Sequence, residues 1–306
     1  MKFSLTILGT SSALPTSSKY PTAHVLNIHE RFFLIDCGEG TQIQLRKFKV
    51  KFSKINNIFI SHLHGDHYFG LFGLISTFDL LGRKSALNIY SHPQLENMFA
   101  DDNCPINRNN LGFKLIFHPL RNNKNQIIFE DKKVIVESFP LKHRIPCWGF
   151  IFRENEKYLE PKIKKDIIPF YRLSIEQILK LKKGEDITLD SGDILLNKNL
   201  TIPPSKPRNY VFSTDTSVLI KNIKYFENAD VLYHEATYDS SKSELAKQTG
   251  HTTALQAAEL ARQANVGKLV IGHFSNRYRT ADLLVDEAKK VFPNTIAAYE
   301  GLDINL

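Results

Sequence analysis

The chain has 306 residues, of which 42% are hydrophobic, enough for a sizeable core, and no apolar run is long enough to span a membrane. Its 40 Lys and Arg against 32 Asp and Glu give a formal charge of +8, which favours an anionic partner without identifying one. Cys37, Cys104 and Cys147 are odd in number and lack C-x-x-C spacing, which excludes a disulfide framework or thiolate metal site and fits a reducing cytoplasm.

Residues 1–7 alternate as a strand does, where a signal peptide would need a longer apolar stretch. A turn-rich loop from Gly9 to Thr16 follows. His24–Ile28 and Arg31–Ile35 then predict a hairpin ending at Asp36 and Gly38. Gly38-x-Gly40 is a weak phosphate-loop signal and reads as structural support for a helix opening at Thr41. The cluster Arg46-Lys47-Phe48-Lys49-Val50-Lys51 fits either a phosphate contact or a solvated surface.

Ile55–Ile60, β-branched and aromatic, predicts a buried strand. It delivers Ser61-His62-Leu63-His64-Gly65-Asp66-His67, three imidazoles and a carboxylate within six positions, followed by a helical pattern that stops at Gly82. His62 and His64, two apart, can face one side while Asp66 and His67 turn to another, so one loop can feed two metals. Neutral imidazole and carboxylate suit zinc or a similar divalent ion.

Leu87–Tyr90 predicts a strand, while His92 and His118, beside prolines and without neighbouring ligands, read as loop residues. Val134–Phe139 predicts a strand that delivers His143. Residues 151–207 are lysine-rich and broken by five prolines, an insertion rather than core, with a short amphipathic helix around Leu173–Leu181. Between Lys157 and Lys183 eight basic residues stand against three acidic, a local excess of +5. Three further strands, 209–213, 229–233 and 268–272, deliver Asp215, His234-Glu235 and His273. Every candidate ligand therefore sits at a strand end along one rim of an α/β sheet structure. Thr252 or Thr253 caps an alanine-rich helix running through Ala264.

Ser-His-Leu-His-Gly-Asp-His resembles the signature of the metallo-β-lactamase superfamily. Together with Leu8-Gly9-Thr10, Asp36-Cys37-Gly38-Glu39-Gly40-Thr41-Gln42, His234-Glu235-Ala236-Thr237, Gly250-His251-Thr252-Thr253 and His273-Phe274-Ser275-Asn276-Arg277-Tyr278, it resembles the short form of the ribonuclease Z family over nearly the whole chain. The resemblance implies a four-layer αβ/βα sandwich over residues 1–306, with 151–207 as a protruding basic arm that binds tRNA. It implies one zinc on His62, His64 and His143 and a second on Asp66, His67 and His273, bridged by Asp215. Asp66 would also accept the proton of the attacking water, and His251 paired with Glu235 would serve the departing ribose oxygen. Arg277 and Tyr278 would lie near the RNA end, and Lys180, Lys182 and Lys183 would contact phosphates. Precursor tRNA as substrate, trimmed of its 3′ trailer, a homodimer, and a cytoplasmic location follow from the same resemblance. The sequence departs from the family where Ile167-Ile168-Pro169-Phe170-Tyr171 replaces a glycine-proline tip and where Phe72 and Thr214 replace commoner Pro and Gly.

Three rivals bear weighing. A small-molecule hydrolase or phosphodiesterase of the same superfamily would share the metal site but has no need of the lysine-rich insertion, His-Glu-Ala-Thr and His-Thr-Thr. A flavin-dependent di-iron enzyme is expected to carry Glu at the position of His64. A non-catalytic RNA-binding module has no use for a full ligand set. His251 has a plainer reading too, as a cap of the alanine-rich helix.

Overall fold

A computed structural model describes residues 2–100, 104, 106–121 and 124–306. In chain order, the first half carries β1 (Phe3–Gly9), β2 (Ala23–Ile28), β3 (Arg31–Ile35), α1 (Thr41–Lys47), β4 (Ile55–Phe59), α2 (Gly65–Leu80), β5 (Leu87–Ser91), α3 (Gln94–Ala100) and β6 (Leu115–Pro119). Then come β7 (Gln126–Glu130), β8 (Val134–Pro140) and β9 (Trp148–Glu154). Short elements follow: β10 (Lys162–Ile163), α4 (Ile167–Tyr171), α5 (Ile175–Lys182), β11 (Ile187–Thr188), β12 (Ile194–Leu195), α6 (Asn197–Leu200) and β13 (Thr201–Ile202). The last third comprises β14 (Asn209–Ser213), α7 (Ile223–Phe226), β15 (Val231–Glu235), α8 (Ser243–Thr249), α9 (Ala254–Gln263), β16 (Lys268–Gly272), α10 (Asp282–Lys289), β17 (Thr295–Ala297) and β18 (Asp303–Asn305).

The chain divides into two compact units, one of Met1–Glu130, Val134–Arg153 and Arg208–Leu306, the other of Asp131–Lys133 and Glu154–Pro207. In the first unit two seven-stranded sheets run in the orders β18-β1-β2-β3-β4-β5-β6 and β17-β16-β15-β14-β9-β8-β7. Each sheet combines antiparallel pairs with a run of parallel steps, from β3 to β6 in the first and from β14 to β17 in the second. Parallel neighbours need crossovers, so their carboxyl ends share one rim.

Three apolar clusters make the layers. Phe3, Phe33, Phe59, Phe150, Tyr210 and Tyr233 pack between the two sheets. On the outer face of the first sheet, Leu71, Leu74, Ile75 and Phe78 of α2 are fully or almost fully buried. Burying each contributes about 1.5–3 kcal/mol, so truncating Leu74 to Ala would cost about 2–5 kcal/mol. Small side chains set the other outer layer: Ala254, Ala257, Ala258 and Ala261 of α9 let that helix lie close over the second sheet. Thr253 caps α9 and forms a reciprocal capping box with Gln256. His251 therefore is not the cap of α9.

Close approach also fixes α2. A Cβ at Gly70 would meet the Gly38 carbonyl oxygen at 2.0 Å, and the Gly70 N–H donates to the Cys37 carbonyl at 2.9 Å. Gly38, read with Gly40 as structural support, thus also packs against the helix that follows the histidine loop.

The second unit has its own small core of Leu173, Leu181, Ile187 and Leu200. Its α5 carries a Ser174–Gln177 capping box. Residues 151–153, expected in the insertion, instead continue β9, where Ile151 pairs with Val211. The unit holds twelve basic and ten acidic residues, because Glu185, Asp186, Asp190 and Asp193 follow the lysines. The basic character of the insertion is thus concentrated in 157–183. His118 is a further correction, since it lies in β6 rather than a loop, stacked on Tyr90 and 2.9 Å from Asn88 Oδ1.

Candidate metal centre

Strand ends and loops along the rim bring seven polar side chains together. His62, His64, His143 and Asp215 form one group and Asp66, His67 and His273 another, with candidate ligand atoms within 4.8 Å of one another in each. His62 Nε2 and His143 Nε2 lie 3.0 and 3.2 Å from His64 Nδ1, and 3.7 and 3.8 Å from Asp215 Oδ2. The second group closes on the other carboxylate oxygen, with Asp215 Oδ1 3.4 Å from His67 Nε2 and 3.1 Å from His273 Nε2. Asp66 Oδ2 lies 3.3 Å from His67 Nε2 and 3.6 Å from His273 Nε2. A tetrahedral ion with bonds of about 2.0–2.1 Å separates neighbouring ligand atoms by about 3.3–3.4 Å, so these spacings fit a metal ion in each group. His67 Nε2 and His273 Nε2 are buried and without hydrogen-bond partners, as metal-facing nitrogens must be.

For His67, His143 and His273 the inward-facing nitrogen is set by what holds the other side of the ring. His67 Nδ1 lies 2.7 Å from Asp36 Oδ2, and the same carboxylate accepts from the Ser61 N–H at 2.7 Å and the Ser61 hydroxyl at 2.9 Å. His143 Nδ1 donates to the Gly250 carbonyl at 3.0 Å. His273 Nδ1 lies 3.0 Å from Thr237 Oγ1, whose hydroxyl donates to Glu235 Oε2 at 2.6 Å. Such partners fix the tautomer that leaves Nε2 bare for a cation. Asp36 and His273 both hold positive φ, 55° and 58°. Strained positions of this kind cost about 1–3 kcal/mol each and persist where surrounding bonds over-determine them.

Charge follows the geometry. Burial disfavours a charged His67, but Asp66, Asp215 and Asp36 outweigh it and push its pKa well above the ordinary value. Burial works against Asp66 too, yet His67 and His273 hold it below the usual carboxylate range. His62, buried and beside His67, is pushed well below the ordinary imidazole value. A pocket that concentrates three buried or nearly buried carboxylates around neutralisable imidazoles is suited to cations. Asp66 Oδ2 also accepts the Ala13 N–H at 2.9 Å.

His251 stands beside the ligands and within the same span of Asp215 and His273. Its Nδ1 lies 2.9 Å from Glu235 Oε1. Burial opposes its charge, but the Glu235 charge and hydrogen bond raise the pKa from 6.5 to about 9. The cleft over the centre measures about 630 Å³ and is lined by Asp66, His64, His143, His251, Phe69 and Tyr238 among others.

The ribonuclease Z of Phocaeicola vulgatus is 46% identical to this chain over 308 aligned positions, spanning 100% of this chain and 98% of that protein. The chain belongs to the ribonuclease Z family. The ribonuclease Z of Bacteroides thetaiotaomicron is 43% identical over 100% of this chain and 96% of its own length. The crystal structure of human tRNase Z, short form, matches with a TM-score of 0.69 and 27% identity over 98% of both chains. The metallo-β-lactamase fold protein YhfI of Bacillus subtilis matches with a TM-score of 0.70 at 18% identity and shares the fold. A family model described as Anti-Pycsar protein Apyc1 matches residues 3–155, so the first half of the chain belongs to that family as well. That match stops before Asp215, Glu235, His251 and His273.

Among the ribonuclease Z positions singled out near the RNA end, Tyr278 is engaged: its hydroxyl donates to Asp239 Oδ2 at 2.5 Å and accepts from the Asp239 N–H at 3.0 Å. Arg277 lies 5.2 Å over the Tyr238 ring and so braces a wall of the cleft. Lys180 and Lys182, in the second unit, pair with Glu176 and Glu160 at 3.1 and 3.5 Å, and Lys183 closes α5. Sequence reasoning did not find Asp36, Ser61, Thr237 or the Ala13 N–H. A signal existed for Asp36, an acid placed just before a glycine pair at a hairpin end.

Proposed function

We infer that this chain is a metal-dependent endoribonuclease that removes the 3′ trailer of precursor tRNA. The observation that carries the chemistry is Asp215, whose two oxygens face two separate ligand groups. The tRNA substrate follows from ribonuclease Z relatives that match the full chain. His62, His64 and His143 would hold one zinc ion and Asp66, His67 and His273 a second, with Asp215 shared. Bound there, such ions neutralise charge on the phosphodiester and lower the pKa of water.

The chain's own residues then divide the proton work. Asp66, oriented by the Ala13 N–H, accepts the proton of the attacking water. His251, kept charged by Glu235, gives a proton to the departing 3′ oxygen of the tRNA. The products are a tRNA 3′-hydroxyl and a trailer 5′-phosphate. Incubating the protein with end-labelled precursor tRNA, with and without chelator, tests this reading. A 2′,3′-cyclic phosphate, or cleavage that survives complete metal removal, would refute it.

A second reading, a small-molecule hydrolase or phosphodiesterase of the same superfamily, would use the same two ligand groups. A higher kcat/KM on a small cyclic phosphodiester than on precursor tRNA would favour it. Assembly as a homodimer and a cytoplasmic location complete the proposal. Among the described residues no helix is long and apolar enough to cross a membrane. Mass measurement in solution tests the dimer.

A further inference from the structure

Among the described residues of the first unit, five lysines without carboxylate partners line two cavities, one of which shares His251 with the cleft over the metal centre. His251 lines the catalytic cleft and also a second groove of about 650 Å³ that carries Lys142 and Lys247, with Glu244 as its one acidic lining residue. A further cavity of about 610 Å³ carries Lys124, Lys221 and Lys224 with Tyr225 and no acidic side chain. Two hydrogen bonds, one of them from a side chain, tie the two segments that form these cavities. The Ser217 N–H donates to the Lys142 carbonyl at 2.8 Å, and Asn222 Nδ2 donates to the Pro140 carbonyl at 2.9 Å. Segments 140–142 and 217–222 are thereby held side by side, and the two cavities become successive parts of one surface. The ion pairs found for lysines of the described residues fall elsewhere, at Lys54, Lys180 and Lys182. Tyr225 is packed on Phe139 with ring centroids 4.9 Å apart, and the Lys224 ammonium lies 4.9 Å over its ring.

We propose that Lys142, Lys247, Lys221, Lys224 and Lys124 form a track for the phosphate backbone of the tRNA acceptor stem. This rests on the endoribonuclease reading, which also sets the direction. His251 serves the departing 3′ oxygen, so the surface beyond it lies on the tRNA side of the cut and the trailer leaves the other way. Lysines on flexible stems neutralise phosphates without reading bases, and an A-form stem offers phosphates in the same pattern whatever its sequence. Ammonium groups already paired with carboxylates, such as Lys180 and Lys182, have less to gain from a phosphate.

The test uses the full-length, metal-loaded enzyme carrying Lys124→Gln, Lys221→Gln and Lys224→Gln together, leaving Lys142 untouched because it adjoins His143. Substrates are precursor tRNA, a seven-base-pair hairpin with the same trailer, and bis(p-nitrophenyl) phosphate. The expected result is a KM raised on the order of tenfold for both RNAs, a kcat within twofold, and an unchanged rate on the small ester. The dependence of log KM on log salt should flatten by about 2–3, one contact's worth per lysine. The corresponding triple Arg variant should keep the wild-type KM. Unchanged KM for both RNAs, or parallel losses on RNA and small ester, overturns the track. If the wild type hydrolyses the ester and cleaves neither RNA, the endoribonuclease reading fails by itself. Direct hairpin binding then decides the track, and equal binding by wild type and Gln variant overturns it.

Discussion

The metal centre and the inserted unit solve opposite problems with the same few residue types. At the centre nearly every polar atom has a fixed partner: Asp36 holds His67, Gly250 holds His143, and Thr237 links His273 to Glu235. In the inserted unit the charged side chains, the buried Glu154 apart, are exposed or half-buried, and they nearly cancel, with Lys180 and Lys182 paired to nearby acids. Buried charge is expensive unless held from every side, whereas exposed pairs are worth about 0–1 kcal/mol. A substitution at the centre should therefore propagate, and one in the inserted unit should not.

The sharpest break is Asp66→Ala, which removes a candidate ligand and the proton acceptor together. Turnover on precursor tRNA should fall by at least ~10²-fold while the thermal midpoint of the metal-free protein stays close to wild type. Near-normal cleavage with metal fully loaded would remove Asp66 from the mechanism. Asp36→Ala comes next. It touches no substrate, yet it frees the His67 ring and leaves Ser61 without its acceptor, so metal affinity should drop by about 10–100-fold. Metal content after dialysis against graded chelator measures that loss, and excess zinc should restore much of the activity.

Glu235→Gln removes the charge beside His251, and its amide nitrogen also replaces one of the two oxygens that accept from the Thr216 N–H, from Thr237 and from His251. Glu235 raises the His251 pKa to about 9, so in wild type the imidazolium persists below that pH and is lost as pH rises through it. Without the carboxylate the protonated form is lost nearer the ordinary value of about 6.5, and the alkaline limb of kcat/KM moves down. At pH 8 the variant should be slower by about tenfold or more, and near pH 6 by much less. An equal loss at both pH values would assign Glu235 to structure instead.

How much of this was readable beforehand depends on whether position is set by neighbours in sequence or across the sheets. The histidine loop was legible because six consecutive residues carry it between a β-branched strand and a helical run. His143, Asp215 and His273 were legible as polar residues at strand ends, although only the fold brings their ligand atoms within 4 Å of those of His64, His62 and Asp66 in the loop. Asp36 was obscure since its role depends on a contact 31 positions away. Strand β18 was missed because three residues, Asp303–Asn305, have no periodicity to read, and only pairing with β1 defines them. The lysine run of 157–183 shows in the sequence, whereas the pairing of Lys182 with Glu160, 22 positions back, shows only in the fold.

Deleting most of residues 156–205 and closing the gap with a short flexible link separates the two regions outright. Hydrolysis of bis(p-nitrophenyl) phosphate should stay within a few-fold of wild type, because all seven candidate ligands lie in the other unit. KM for precursor tRNA should rise several-fold if 157–183 contributes phosphate contacts, with a shallower salt dependence. Comparable losses on both substrates would mean that the unit supports the fold or the metals.

The smallest expected effect is the most pointed. Lys180 and Lys182 sit on one turn of α5, and each is committed to a carboxylate, Glu176 four residues back and Glu160 respectively. A phosphate must compete with those partners, so a Lys180→Gln, Lys182→Gln double variant releases two acids as it removes two bases. KM for precursor tRNA should change by less than about twofold, against the order-of-magnitude rise expected for the three unpaired lysines of the first unit. Adding Glu176→Gln and Glu160→Gln to an otherwise native chain gives the reciprocal measurement: with their partners gone, Lys180 and Lys182 become free to meet phosphate, and affinity should improve slightly. If the double lysine variant instead raises KM tenfold, the pairing seen in the free protein breaks on binding, and the inserted unit grips RNA despite its near-zero net charge.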